Sequence, residues 1–133
     1  MPRFVVQKHF RDRDDFHYDL MLECGEVLLT WQSGAPPDAD KELPCLVRQL
    51  PDHRTEYLAY QGPISRGRGW CEIYDRGTFE WAAPPDGLAE PADCDLQDFL
   101  LVRLDGGRVR GTYRLKREPM SGDDYWRLAR TDD

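Results

Sequence analysis

Along most of the chain, apolar and polar residues alternate with period two. Phe4, Val6 and Lys8 share one phase against Arg3, Val5, Gln7 and His9; beyond the charged stretch 11–15, Phe16, Tyr18, Leu20 and Leu22 alternate with His17, Asp19, Met21 and Glu23. Successive side chains of a strand point to opposite faces, so this pattern predicts two strands joined by a polar turn. Cys24-Gly25-Glu26 then turns the chain into a third strand over 27–31, and the Gly-Pro-Asp stretch 34–38 ends it.

Short β-rich runs follow at 46–50, 56–60, 70–74 and 78–81, the last two read as a hairpin turning through Asp75-Arg76-Gly77. A final set at 99–104, 108–116 and 125–129 contains the turn Asp105-Gly106-Gly107, and 95–98 has room for a short helical turn. No segment carries a long helical period with caps. Many short strands separated by Gly and Pro turns predict an all-β, mainly antiparallel fold, a small closed or partly closed barrel with short helical turns. The 133 residues suit one domain spanning 1–133.

No apolar run approaches the roughly 18 residues that span a bilayer. The amino end, charged at Arg3 and Lys8, lacks the pattern of a secretory signal, and the expectation is a cytoplasmic monomer. The four cysteines, Cys24, Cys45, Cys71 and Cys94, form no C-x-x-C pair, which favours reduced structural thiols. A net charge of −7 excludes a surface of uniformly positive potential that holds nucleic acid nonspecifically. Local binding stays open, because 103–117 carries six bases against Asp105 alone. Arg108, Arg110, Arg114, Lys116 and Arg117 there read either as a track for a phosphate backbone or as a solvated hairpin face. The tryptophans Trp31, Trp70, Trp81 and Trp126 read as core or barrel-end packing.

Chemistry concentrates near the amino end. Alternation puts Gln7 with His9 and His17 with Asp19, so a hairpin aims all four into one pocket, and two imidazoles with a carboxylate suit manganese, iron or zinc. Two nitrogens and one oxygen leave coordination positions open to water or substrate. His53 either donates to a substrate oxygen or caps a loop, with Arg48 and Arg54 nearby to grip a phosphate. Ser65-Arg66-Gly67-Arg68-Gly69 offers arginines and backbone amides to an anion, without the Lys-Ser/Thr of a P-loop.

These residues resemble the 3′-phosphoesterase domain of bacterial DNA ligase D and its stand-alone relatives. Residues 4–9 followed by His17-Tyr18-Asp19-Leu20-Met21-Leu22-Glu23 are similar to the family's F-V-x-Q-K-H and H-Y-D-x-R-L-E. Asp52-His53 with Tyr57, the run 61–65, and Tyr74-Asp75-Arg76-Gly77-Thr78 resemble its D-H-x-x-x-Y, E-G-x-I-P and W-D-x-G-T segments. The closing L-x-G-x-x-L-x-G and W-x-L runs resemble 104–115 and 126–128, so the resemblance spans about 3–130.

The resemblance implies a manganese-dependent β-barrel enzyme that trims DNA 3′ ends, removing a terminal phosphate and in some members a ribonucleotide. Carried over by position, His9, His17 and Asp19 would ligate the metal, and Gln7, His53 and Tyr57 would surround the metal and the scissile phosphate. The implied partners are DNA 3′ ends of the primer-template type and a ligase or polymerase of end joining. The sequence departs from the pattern where Met21, Ala35 and Cys45 stand at phosphate-binding positions, leaving Arg48, Arg54, Arg66 and Arg68 as replacements. Two alternatives follow: a degenerate barrel that keeps the metal pocket as a nucleic-acid or protein binding module, and a phosphoesterase for another phosphate ester.

Overall fold

The computed structural model describes residues 1–82 and 98–131. Nine antiparallel strands appear in chain order: β1 Arg3–Asp12, β2 Asp15–Cys24, β3 Val27–Ser33, β4 Cys45–Arg54, β5 Gly62–Pro63, β6 Trp70–Trp81, β7 Phe99–Gly106, β8 Arg110–Arg117 and β9 Tyr125–Arg130. Spatially they run β1-β2-β3-β4-β9-β8-β7-β6, and β1 pairs β6 to close an eight-stranded barrel, with β5 added beside β6. Short 3-10 turns at Asp40–Glu42, Thr55–Leu58 and Pro119–Ser121 are the helical content of the described residues. The all-β barrel is therefore the observed fold, and none of the described helices is long and apolar enough to cross a membrane.

The two phases of alternation serve two different clusters. Phe4, Val6, Leu20, Leu22, Leu29, Trp31, Val47 and Trp126 point inward and pack the barrel core. Val5, Met21 and Leu28 belong to the opposite phase, and Leu58 of the turn Thr55–Leu58 covers them on the outside. Burial of both faces explains why β1 is apolar at Val5 as well as at Phe4 and Val6.

Three readings of the sequence are corrected. The run 56–60 is mostly the 3-10 turn Thr55–Leu58 rather than a strand, because Leu58 packs on the outer cluster while Gln7 binds the carbonyls of Tyr57 and Tyr60. The expected hairpin over 70–81 is one strand of 12 residues. Its register against β1 slips between Val6↔Asp75 and Gln7↔Ile73, leaving Tyr74 as an extra residue, a bulge rather than a turn. Gly77 is needed there for close approach, since a Cβ would lie 2.0 Å from the Asp105 carbonyl oxygen. Asp75 accepts the backbone N–H groups of Gly107, Arg108 and Val109, tying the β7–β8 turn to β6.

The third correction concerns the thiols: Cys45 and Cys71 are free, whereas Cys24 is disulfide-bonded. Bridging depends on how close two Cα atoms come in space, which sequence spacing does not disclose. The helical turn expected at 95–98 lies largely outside the described residues. Of the tryptophans, Trp31 and Trp126 are core, and Trp70 stacks on Phe10 with ring centroids 4.9 Å apart.

Candidate metal centre

The site sits on the outer face of the barrel, where β1 and β2 pair. Register places His9 opposite His17 and Gln7 opposite Asp19, so four side chains from two strands share one patch. His9 Nδ1 lies 3.2 Å from His17 Nε2, which in turn lies 3.2 Å from Asp19 Oδ1. All three candidate ligand atoms fall within 4.8 Å of one another.

The loop after β5 orients the first imidazole. Gly69, with φ +91°, allows this loop to lie against β1 at a point where a Cβ would meet the Phe10 carbonyl oxygen at 1.8 Å. The loop thereby delivers the Arg68 carbonyl to His9 Nε2 at 2.9 Å. A carbonyl only accepts, so Nε2 carries the proton and Nδ1 presents its lone pair toward His17 and Asp19. His9 Nδ1, His17 Nε2 and Asp19 Oδ1 then converge with at most one proton, on His17 Nε2, to share among them. Asp19 is buried, and its Oδ1 has no hydrogen-bond partner, the approach of His17 being one of distance alone. A cation satisfies all three atoms at once, and two imidazole nitrogens with a carboxylate oxygen form a donor set suited to a first-row divalent metal.

A cavity of about 80 Å³ opens over this patch, lined by Gln7, His9 and Asp19 of the barrel together with His53, Tyr57 and Arg68. Met21 forms an apolar part of the wall. Cys71 lines it too, and burial pushes its thiol pKa above the ordinary value.

His53 reaches this face through an irregularity. Leu28 pairs with His53 but Thr30 pairs with Leu50, so Pro51-Asp52 bulges out of β4 and shifts the alternation by one residue. A proline is accommodated at such a bulge because no ladder bond is lost there. The Pro51 carbonyl then accepts from His53 Nδ1 at 2.9 Å, which leaves Nε2 free. The Tyr57 ring packs edge-on against the His53 ring, centroids 5.7 Å apart. Gln7 is committed to the scaffold: its Nε2 donates to the carbonyls of Tyr57 and Tyr60, each at 2.8 Å.

The four candidate arginines separate. Arg68 lines the cavity, with its guanidinium held by Ser65 O at 2.9 Å and Ser65 Oγ at 3.1 Å. Arg54 lines a neighbouring groove. Arg48 lies on the same outer face two strands from Asp19, in the row Asp19↔Gln32↔Arg48. Arg66 is exposed in the loop at φ +65° and lines neither space. Cys45 packs against the core rather than the site. Within the basic hairpin, Arg110 and Arg117 pair with Asp105 and Asp98, and Arg108 lies over the Tyr74 ring. The sequence reading missed the Arg68 carbonyl and the Gly69 approach, for which a glycine beside a basic residue is the only sequence signal.

The family model of the DNA ligase D 3′-phosphoesterase domain matches residues 7–117. Over 135 residues the chain is 30% identical to the multifunctional non-homologous end joining protein LigD of Pseudomonas aeruginosa, covering 98% of this chain. It is 32% identical over 126 residues to the multifunctional non-homologous end joining DNA repair protein LigD of Mycobacterium tuberculosis, and 36% identical over 124 residues to the multifunctional non-homologous end joining protein LigD of Mycolicibacterium smegmatis, covering 92% and 85% of this chain. The chain spans about 15% of the length of each of these relatives. By the family match and these identities, the chain belongs to the DNA ligase D 3′-phosphoesterase domain family.

Proposed function

We propose that this protein is a metal-dependent phosphoesterase that processes DNA 3′ ends in non-homologous end joining, in the cytoplasm. The observation that carries the reading is Asp19 Oδ1, buried without a hydrogen bond beside His9 Nδ1 and His17 Nε2 in a cavity that His53 also lines. His9, His17 and Asp19 would hold the ion, with manganese the choice the family suggests. When bound, such an ion supplies Lewis-acid polarisation of a phosphoryl oxygen.

The remaining work falls to this chain's own groups. His53 is oriented through Nδ1 by the Pro51 carbonyl, so that in its imidazolium form the second N–H, on Nε2, donates to a phosphate oxygen, where negative charge grows during ester cleavage. Arg68 adds a fixed cation at the cavity wall, on a guanidinium already ordered by Ser65. Gln7 acts as a positioning residue, fixing the Tyr57–Tyr60 segment against the strand that bears His9. Tyr57 closes the cavity beside His53.

The test is phosphate release from a primer-template bearing a 3′-phosphate, with and without manganese, by wild-type and His9→Ala protein. Release is expected to require both the ion and His9; release that survives chelation or the substitution overturns the proposal. One observation favours a second reading. Met21 presents a buried apolar wall where the family pattern has an arginine, which fits a barrel that binds metal and nucleic acid without turnover. Manganese binding that needs His9, with no phosphate release, would select it.

A further inference from the structure

A second concavity adjoins the metal cavity. It has a volume of about 210 Å³ and is bounded by Tyr57, Tyr60, Pro63 and Ile64, with Arg54 and Glu56 also lining it. Tyr57 and Ile64 line both spaces, so a group seated over His9 and Asp19 has this groove as its immediate neighbour.

Three aromatic rings run from one space to the other. His53 and Tyr57 meet edge-on with centroids 5.7 Å apart, and Tyr57 and Tyr60 meet edge-on at the same 5.7 Å, their planes 84° apart. One tyrosine therefore offers a face where the other offers an edge. Both are held in place before anything binds. Gln7 ties their backbone carbonyls to β1, and the Tyr60 hydroxyl donates to the Pro63 carbonyl. Gly62, at φ +136°, leaves room for that hydroxyl, which a Cβ there would approach to 3.3 Å. Tyr60 remains 37% exposed, so part of it stays open to a ligand.

From this we infer that the Tyr57–Tyr60 groove receives the base of the nucleoside that carries the scissile phosphate. The inference rests on the proposed reading of the metal cavity as the phosphate site. A flat group with apolar faces, covalently attached one sugar away from the phosphate, matches an aromatic and aliphatic groove one residue away from the metal ligands' cavity. Stacking on such rings tolerates any base, because each has a π-face. The groove thus selects for a terminal base over its absence, without selecting a sequence.

The test compares two primer-templates with the same 3′-phosphate, one ending in an ordinary nucleotide and one in an abasic sugar. With wild-type protein and manganese, kcat/KM is expected to be higher for the base-bearing end by roughly 5- to 150-fold, the range for one stacked base. Tyr60→Ala should erase that ratio and Tyr60→Phe should retain it. Equal rates on the two ends, or a ratio that survives Tyr60→Ala, overturns the inference while leaving the phosphoesterase reading intact. A binding arm covers a protein that does not turn over: calorimetric titration of the manganese-loaded protein with thymidine 3′-monophosphate and with inorganic phosphate. Tighter binding of the nucleotide, lost in Tyr60→Ala, supports the groove even where phosphate release fails; equal binding of the two overturns it.

Discussion

Replacing Asp19 with asparagine separates what this carboxylate does to the fold from what it does for a metal. Its side chain is 5% exposed and its Oδ1 has no hydrogen bond. An unsatisfied buried acceptor costs ~1–3 kcal/mol, and more when charged, while an isosteric amide removes the charged part of that penalty. Without metal the variant should therefore unfold at the wild-type temperature or a few degrees higher, since 1 kcal/mol moves the midpoint of a domain this size by about 3–6 °C. With manganese at a hundred times its wild-type Kd, the wild-type protein gains ~2.7 kcal/mol, or about 8–16 °C. Asp19→Asn should gain almost nothing at that concentration, because a neutral amide replaces the anionic ligand. Thermal unfolding followed by circular dichroism, with chelator and with manganese, reads both effects. A variant that loses several kcal/mol without metal would show that Asp19 is structural, and one that keeps the full manganese shift would show that it is not a ligand.

Three further outcomes follow from the same geometry. Gly69→Ala forces a Cβ to 1.8 Å from the Phe10 carbonyl oxygen and displaces the Arg68 carbonyl from His9; manganese affinity should fall ~10–100-fold, the usual cost of losing the partner that orients a ligand, and an unchanged titration would refute that role. His53→Gln should leave manganese affinity as it is and lower the turnover rate ~10²–10³-fold; a parallel loss of metal affinity would place His53 among the ligands. At Asp75, burial opposes ionisation, but the backbone N–H groups of Val109, Arg108, Arg76 and Gly107 outweigh it and hold the pKa below the ordinary aspartate value. A lowered carboxylate pKa contributes stability that is present above the unfolded-state value near 4 and is lost as pH falls through the folded value. Asp75→Asn should cost ~2–4 kcal/mol at neutral pH and flatten the acid limb of a urea-denaturation series below about pH 4; an unaltered acid limb would count against it.

How much of this was legible depended on whether the alternation was interrupted. The β1–β2 hairpin has paired register from Phe4↔Leu22 through Phe10↔Phe16, so period two alone put Gln7, His9, His17 and Asp19 on one face. Alternation alone made His53 a candidate but not a neighbour of His9, a placement that only the family resemblance implied, because an extra residue at Pro51-Asp52 moves it to the other face of β4. The Tyr74 bulge did the same to β6, and Asp75-Arg76-Gly77 has turn composition for another reason: Asp75 caps the turn of a different hairpin. The segment 56–60 carries a strand-like composition, yet the apolar patch of Val5, Met21 and Leu28 draws Leu58 into a 3-10 turn. Among the arginines, only proximity in space distinguishes Arg68 at the cavity wall from Arg66 two residues earlier.

The placement of the site outside the barrel follows from the same two phases. A closed eight-stranded ring filled by Trp31, Trp126, Tyr113 and Phe79 has no room for a hydrated ion and a phosphate. Polar chemistry needs a face that is sheltered but reachable, and here the outer phase of β1 and β2 supplies it where the 3-10 turn and the 64–69 loop rise over the sheet. The apolar residues of that phase, Val5 and Met21, hold the cover down, while the polar ones, Gln7, His9 and Asp19, face the cavity beneath it. Each structural exception then has a chemical consequence: the Pro51 bulge turns His53 toward the cavity, and the Gly69 approach sets the tautomer of His9. A substitution that straightened β4 at Pro51 or pushed the Gly69 loop off β1 would leave the barrel core packed as it is and would take the imidazole out of use.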